Sequence, residues 1–297
     1  MKHNTRRTTA RTGAPAQSRD AAGRWGLAIL WIGTLAGIVL GVRALEPYAH
    51  AAGGAEPWRL QWVQVPATIE DWVLSEIQNE RQTYDLRPLF AADVHTPELC
   101  MRLAEELSKS PWIASVERIS KQADGLANVH AQFRRYLTFV VRDGMGYLVD
   151  DSGVRLPRQH LASTLDAYGM VLVEGAREAP PEVGRPWPGG DVAAGLKLVK
   201  FLSEQCPPAL LTYFRAVDVT NFKDRLNRRD GWLKIRTLHS NRYILWGLPP
   251  GEEFGIESNA SRKLALLWAH YSKYGQLPSR DRIDVRDADS IAVPQTP

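Results

Sequence analysis

The apolar residues of this chain change their spacing several times, and each spacing predicts a different element. Over residues 25–42, eighteen consecutive residues carry no charge, and Arg24 and Arg43 bracket them. At about 1.5 Å per residue, a helix of this length nearly crosses a hydrocarbon layer of about 30 Å. The pattern therefore predicts a single transmembrane helix over residues 25–43, because no other stretch is comparably long and apolar.

Three glycines share one face of that predicted helix. Gly33, Gly37 and Gly41 recur every four residues. Small residues at this spacing let a second helix approach closely, so the three glycines are candidates for packing between membrane helices. Glycine is also common in membrane helices generally, and both interpretations stay open.

The charges around the apolar segment predict its orientation. The tail over residues 1–24 carries six basic side chains and one acidic side chain. Basic residues mark the cytoplasmic side, so we expect a cytoplasmic N-terminus and an exported remainder, which lies in the periplasm of a Gram-negative cell. The sequence therefore predicts a single-pass protein of the inner membrane.

A cleaved signal peptide is the competing interpretation, because Ala49-His50-Ala51 matches an A-x-A cleavage pattern. Two features favour an anchor that stays in place. The apolar segment is longer than the roughly 7 to 15 residues of a signal peptide. In addition, Arg43, Glu46 and Pro47 precede the candidate cleavage site. We therefore expect an uncleaved anchor, followed by a small-residue linker over residues 44–57.

After the linker, the apolar spacing predicts a first module over residues 58–142. Thr96-Pro97-Glu98 is typical of a helix start, with a capping side chain, a proline at the first helical position and an acid near the positive end of the dipole. The predicted elements are a strand at 58–62, an amphipathic segment at 69–77, a helix at 96–110, and strands at 113–119 and 137–142. This order, β-α-α-β-β, suffices for one small α/β domain.

A second module, rich in strands, is predicted over residues 143–293, before a short tail at 294–297. Tyr147 and Val149 lead into Asp150-Asp151-Ser152-Gly153, as in a β-hairpin. The other predicted elements are strands at 171–173, 215–219, 232–237 and 242–246 and helices at 192–204 and 258–274. The predicted fold class is therefore α+β, with a transmembrane helix, an α/β domain and a mixed β-rich domain with two helices.

The final predicted strand offers a candidate binding surface. Ile283, Val285, Ile291 and Val293 occupy odd positions, so they lie on one face of a strand. If the strand lies at a sheet edge, its unpaired backbone groups can receive a strand from another chain, and Arg286 can pair with an acid of that partner. The alternative is an interior strand, or an edge that neighbouring polar side chains shield.

Composition and charge narrow the classes of function. Hydrophobic residues make up 44% of the chain and charged residues 24%, the balance of an ordinary globular protein. The net charge of +4 comes entirely from the tail, because the rest of the chain holds 31 basic and 32 acidic residues. Nucleic-acid binding depends on neutralised phosphates and is therefore not expected. Cys100 and Cys206 fit no metal-ligand or disulfide spacing, so neither a metal nor a cofactor is predicted.

None of the polar motifs is arranged for catalysis. His239-Ser240 are sequence neighbours, whereas a nucleophile and its base need facing side chains and an orienting acid. Asp150-Asp151 precede Ser-Gly and point to opposite faces of a strand, so a turn is predicted rather than a carboxylate pair. Gly144-Met145-Gly146 lacks the strand-to-helix context of a phosphate loop. We therefore expect a protein that is not an enzyme and has no small-molecule substrate.

A basic group near a predicted hairpin tip is open to two interpretations. It consists of Lys223, Arg225, Arg228, Arg229, Lys234 and Arg236. These side chains either meet an acidic partner or an anionic wall polymer, or they form a solvated hairpin face. Among the tryptophans, Trp268 lies on an apolar stripe and is a predicted core residue, whereas Trp58 and Trp187 are candidates for contact with a membrane or a partner.

Four passages carry a resemblance to a known family. They are the basic tail with its single span, the junction Ser110-Pro111-Trp112-Ile113-Ala114-Ser115-Val116, the hairpin Gly146-Tyr147-Leu148-Val149-Asp150-Asp151-Ser152-Gly153-Val154, and the series Leu245-Trp246-Gly247, Arg262-Lys263-Leu264 and Ile283-Asp284-Val285-Arg286 with Ala292-Val293. In order and spacing they resemble the FtsQ/DivIB family of bacterial cell-division proteins over residues 25–293. The chain departs from the family at 139–143, where Glu-x-x-Pro-x-Ala is usual, and in a polar insertion at 121–128.

The resemblance implies a POTRA domain over 58–142, the family's β-rich domain after it, and a role as a non-enzymatic scaffold at the division septum. The implied partners are small bitopic division proteins of the FtsB and FtsL type. The implied partner-binding residues are Ile283, Asp284, Val285, Arg286, Ile291, Ala292 and Val293. Two alternatives stay open, a POTRA-type module that assists exported polypeptides and a wall enzyme with an unrecognised site.

Overall fold

The computed structural model describes residues 59–63, 73, 75–76, 98–122, 126–238, 242–279 and 281–287. Among these residues, no helix has the length and apolar character needed to cross a bilayer. The predicted tail, transmembrane helix and linker lie outside the described residues, and so do Gly33, Gly37, Gly41, Trp58, His239-Ser240, Ile291, Ala292 and Val293.

A three-stranded sheet contains β1 (Arg59–Val63), β2 (Ile113–Lys121) and β3 (Leu126–Phe133). β3 is the central strand, parallel to β1 and antiparallel to β2. The helix α1 (Leu99–Leu107) precedes β2 and buries Leu99, Leu103 and Leu107, the face that the sequence predicts. Glu98 is at the N-cap position of α1, and its side chain makes no capping hydrogen bond.

The strand β3 was not among the predicted elements. Lys121 ends β2 and Leu126 begins β3, so both ends of the polar insertion at 121–128 belong to strands. The apolar side chains of β3 alternate, with Ala127 and Val129 buried. Alanine marks this alternation weakly because it is small and common in helices, so the strand escapes recognition from the sequence.

The larger sheet contains β4 (Tyr136–Arg142), β5 (Met145–Asp150), β6 (Arg155–Leu161), β7 (Leu172–Glu174), β8 (Phe214–Asp218), β9 (Leu233–Thr237), β10 (Tyr243–Gly247) and β11 (Arg282–Asp284). The strand order is β11-β10-β9-β8-β7-β4-β5-β6. The α+β class is thus confirmed. The predicted strand at 137–142 is present as β4, but it pairs with β5 and β7 rather than with the three-stranded sheet. The domain boundaries stay a prediction.

Two long helices cover one face of the large sheet. They are α2 (Asp191–Gln205) and, after the short α3 (Pro208–Leu211), α4 (Ala260–Tyr274). Both long helices match the predicted segments. Asn259 caps α4 by accepting a hydrogen bond from the N–H of Arg262, and Gly275 ends it in the left-handed conformation, at φ 72°. Left-handed backbone is readily adopted by glycine, which explains the predicted stop.

Buried apolar residues form two clusters, one on each face of the large sheet. The first joins α2 and α4 to the strands and includes Trp246. The second joins α1 and the three-stranded sheet to the opposite face and includes Trp112.

Two tryptophans differ from their predicted environments. Trp187 was a candidate for contact with a membrane or partner, but it is buried and packs edge-on against Tyr147. Trp268 was expected in the core, but it is 38% exposed.

The predicted turn at Asp150 is confirmed. The Oδ1 atom of Asp150 accepts hydrogen bonds from the N–H of Ser152 at 3.0 Å and from the N–H of Val154 at 2.8 Å. Its Oδ2 accepts a hydrogen bond from Nη1 of Arg134 at 2.9 Å. The neighbouring Asp151 points outward and pairs with Lys200 at 2.8 Å. The two carboxylates therefore have separate structural roles.

We predict that Asp150→Ala lowers the free energy of unfolding by about 3–5 kcal/mol, because it leaves the largely buried Arg134 without its counter-charge and the turn without its acceptor. Urea unfolding followed by circular dichroism measures the change. Asp151→Ala is the matched control, for which we expect less than about 1 kcal/mol because its ion pair is exposed. Equal effects of the two substitutions would contradict this account of the turn.

Candidate partner-binding edge

The last described strand lies at an edge of the large sheet. β11 pairs in parallel with β10, with Ile283 opposite Ile244, and the described residues place no strand on its other side. Ile283 and Val285 are buried in the core, on the same face as the sequence predicts. Strand addition requires an edge position, and residues 282–284 occupy one.

The backbone hydrogen bonds show which groups of β11 face outward. The N–H of Tyr243 donates to the carbonyl of Asp281 at 2.9 Å, and the N–H of Val285 donates to the carbonyl of Leu245 at 3.3 Å. Backbone groups in a strand alternate in direction, so those of Arg282 and Asp284 point away from β10. Each of these two residues thus presents one donor and one acceptor at the open edge.

Beyond β11 the open edge closes. The carbonyl of Arg286 accepts a hydrogen bond from the N–H of Ser258 at 2.9 Å. The N–H of Arg286 donates to Oδ1 of Asp284 at 3.2 Å. The accessible edge among the described residues is therefore short, and it ends where the loop before α4 reaches the strand.

Arg286 is bound within the chain. Its Nε donates to Oδ1 of Asp284 at 2.9 Å and its Nη2 to Oδ2 at 2.7 Å, a two-pronged ion pair. Its Nη1 donates to the carbonyl of Arg229 at 2.8 Å. Pairing of Arg286 with a partner acid, which the sequence suggested, would have to displace Asp284. The side chain instead fixes the end of β11 to the loop that carries the basic group.

The ion pair between Asp284 and Arg286 shifts the pKa of both groups. Burial acts to raise the pKa of Asp284, but the hydrogen bonds and charge of Arg286 outweigh burial, so the pKa lies below its usual value. The hydrogen bond to Asp284 raises the pKa of Arg286 further above its already high value. Both groups are therefore charged at neutral pH.

A buried lysine supports this corner of the sheet. Lys263 lies on the inner face of α4, fully shielded from solvent, and its Nζ is 2.6 Å from Oε1 of Glu257. Oε1 of Glu257 also accepts a hydrogen bond from the N–H of Leu248 at 2.7 Å. The ammonium of Lys263 lies 5.2 Å from the centre of the Trp246 ring. Burial lowers the pKa of Lys263, while Glu257 opposes that shift.

Gly247 is required at this corner by space and by conformation. Its φ is 92°, and a Cβ atom there would come within 2.2 Å of Oε1 of Glu257. This contact gives a physical reason for the glycine of Leu245-Trp246-Gly247.

Sequence reasoning missed the roles of Glu257 and Lys263. The available signal was a lysine next to Leu264 on the apolar stripe of α4, where a charge needs a partner.

The basic group is divided by the fold. Three members are in ion pairs, which are Arg225 with Asp191 at 3.1 Å, Lys234 with Asp230 at 3.0 Å and Arg236 with Glu174 at 3.3 Å. Lys223, Arg228 and Arg229 are exposed, and the described part of the chain provides no acid that pairs with them. Three of the six cations are thus held in ion pairs within the chain, and for the three exposed cations both interpretations, a solvated face or contact with an acidic ligand, stay open.

Two cavities are candidate substrate sites for the alternative function, a wall enzyme. One, of about 330 Å³, is lined by Tyr136, Phe139, Leu148, Arg158, His160, Ala167, Tyr168 and Met170. In it, Nε2 of His160 and the hydroxyl of Tyr168 are 3.1 Å apart. The other, of about 120 Å³, lies beside Ile283. Neither lining contains a carboxylate or a thiol, and in the described parts of the chain no three His, Cys, Asp or Glu residues are grouped to hold a metal.

Compared with known proteins, this sequence matches no protein-family model and no curated protein.

We predict that Lys263→Met destabilises the fold by about 3–5 kcal/mol, because it leaves the largely buried carboxylate of Glu257 without a counter-charge. Adding Glu257→Gln removes that charge and keeps an acceptor for Leu248, so the double variant is expected to be more stable than Lys263→Met alone. Urea unfolding measures both. Lys197→Met, at an exposed pair with Glu252, is the control and should cost less than about 1 kcal/mol.

We also predict a pH dependence that arises from Asp284. A carboxylate with a lowered folded pKa stabilises the fold above its ordinary pKa of about 3.9, and this contribution is lost as the pH falls through the folded value. Asp284→Asn should therefore reduce stability by about 1–3 kcal/mol at pH 7 and by progressively less below pH 4. Denaturant midpoints measured from pH 7 to pH 2 test this. Asp281→Asn, at an exposed neighbour, should show no such convergence.

Proposed function

We propose that this chain is a non-enzymatic scaffold of the bacterial divisome, similar to FtsQ/DivIB proteins, anchored in the inner membrane with its folded part in the periplasm. It holds small bitopic division proteins of the FtsB and FtsL type by strand addition at β11. The observation that carries the proposal is the edge position of β11, with the peptide groups of Arg282 and Asp284 facing outward.

The order of elements in the first module supports the POTRA-like part of the proposal. β1 is followed by helical residues at Val73, Ser75 and Glu76, then by α1, β2 and β3. This is the expected β-α-α-β-β order, with its last strand at Leu126–Phe133 rather than at 137–142. The large sheet would then form the family's β-rich domain.

Two other sheet edges, those at β6 and β2, are less suited to strand addition. At the start of β6, the N–H of Arg155 donates a hydrogen bond to the carbonyl of Arg185 at 2.9 Å. The carbonyl of Arg155 accepts a hydrogen bond from the N–H of Gly184 at 2.7 Å, so a loop already covers this part of the edge. β2 is interrupted by two register shifts and carries exposed charged residues such as Glu117. Bulges and charges are devices that protect an edge from pairing.

The energetics indicate that the described edge provides only part of the affinity. Two outward residues offer at most four backbone hydrogen bonds, each with a net contribution of roughly 0.5–1.5 kcal/mol. Micromolar binding needs about 8 kcal/mol after the cost of association is met. Further contacts beyond Arg282 and Asp284 are therefore needed.

We predict that Arg282→Pro weakens partner binding and septal recruitment while the protein stays folded. Proline removes the outward N–H of residue 282, and an edge strand tolerates proline when that group faces away from its neighbour. The measurement is recovery of FtsB-type and FtsL-type proteins with the full-length chain, together with localisation of a fluorescent fusion in dividing cells. Arg282→Ala keeps the N–H and is the matched control.

Normal partner recovery with Arg282→Pro, in a protein whose circular dichroism matches the wild type, would exclude strand addition at β11. Loss of recovery with Arg282→Ala as well would assign the effect to the side chain instead of the backbone.

A further inference from the structure

The loop between β10 and α4 exposes two large apolar side chains. Phe254 is 74% exposed and Ile256 is 89% exposed. Single exposed apolar residues are ordinary, but two that lie two residues apart on one short loop form a local apolar surface. Neither packs into the core clusters of the described residues, so the fold does not account for them.

The loop has a defined conformation. The N–H of Gly251 donates to Oε2 of Glu253 at 2.8 Å, and the N–H of Glu257 donates to the carbonyl of Phe254 at 3.4 Å. The pair of Glu257 with the buried Lys263 fixes the end of the loop, and an exposed ion pair between Glu252 and Lys197 lies at its start. Because its end is anchored, less ordering is needed when a partner covers the loop.

The loop lies directly beyond the open edge of β11. Ser258 donates its N–H to the carbonyl of Arg286 at 2.9 Å, two residues after the strand ends. Ile256 precedes Ser258 by two residues, a separation that spans at most about 7 Å. A chain that pairs with Arg282 and Asp284 and continues past the end of β11 therefore reaches this apolar surface next.

We infer that Phe254 and Ile256 form the second part of the partner-binding surface, and that the partner strand carries apolar side chains that cover them. This inference rests on the proposed strand addition at β11. It supplies the contacts that the short backbone edge lacks, since a few well-packed apolar anchors carry most of the free energy of a protein interface.

Charge favours a peptide as the occupant. Residues 249–258 contain Glu252, Glu253 and Glu257 and no lysine or arginine. Lys197 and Lys263 neutralise Glu252 and Glu257, and the loop has no cation of its own with which to bind the phosphates of an anionic lipid surface. The partner segment is therefore an extended peptide with apolar residues, continuous with the strand that pairs with β11.

Site-specific photo-crosslinking in dividing cells tests the inference. A photoreactive phenylalanine derivative replaces, one at a time, Phe254, Ile256 and Arg282 in the full-length chain. Leu161, 59% exposed on β6 at the opposite edge of the sheet, is the control position. We expect the same partner protein to be captured from positions 254, 256 and 282 and not from position 161.

The paired affinity measurement uses the partner captured from position 282, with the full-length chain in nanodiscs. Phe254→Ser together with Ile256→Ser should weaken binding at least tenfold, whereas Leu161→Ser should leave it unchanged. Capture of lipid or of a second copy from positions 254 and 256, or unchanged affinity of the double variant, would overturn the inference.

The outcomes separate the two proposals. If Arg282→Pro weakens binding but the Phe254→Ser and Ile256→Ser variant binds like the wild type, strand addition stands and the role of the loop is wrong. If position 282 captures no partner and Arg282→Pro binds normally, strand addition is wrong and the inference built on it is overturned as well.

Discussion

One carboxylate determines the arrangement of the C-terminal corner of the sheet. Glu257 accepts hydrogen bonds from Lys263 on α4 and from the N–H of Leu248 after β10, so a single side chain joins a helix to the end of a strand. A fully shielded ammonium is tolerated only beside a counter-charge. The position of Ser258, and through it the hydrogen bond to Arg286, follows from this contact.

Around this corner, fixed contacts surround a small open edge. Asp284 and Arg286 neutralise each other, and the carbonyl of Arg286 is already bonded to Ser258. Within the described part of the chain, no strand pairs with the outward peptide groups of Arg282 and Asp284. An edge this short restricts uncontrolled association because it offers few hydrogen bonds, and it makes partner choice depend on side-chain contacts beside the strand.

Comparison of prediction and structure shows where sequence patterns succeed. The helices at 191–205 and 260–274 have strong 3.6-residue periodicity, and both were predicted to within two residues. β3 was missed because alanines carry much of its alternation. The strand at 137–142 was recognised, but its assignment to the first module was an extrapolation from chain order, and β4 pairs with β5 and β7.

By itself, the sequence determined most of the local elements, the turn at Asp150 and the buried face of the last strand, because each depends on residues close together in the chain. Only the tertiary structure decided that β11 lies at an edge, that Arg286 is bound to Asp284, and that Lys263 meets Glu257 under the sheet corner. Strand order and buried charge pairing join distant segments, and periodicity in the chain carries no information about which segments become neighbours.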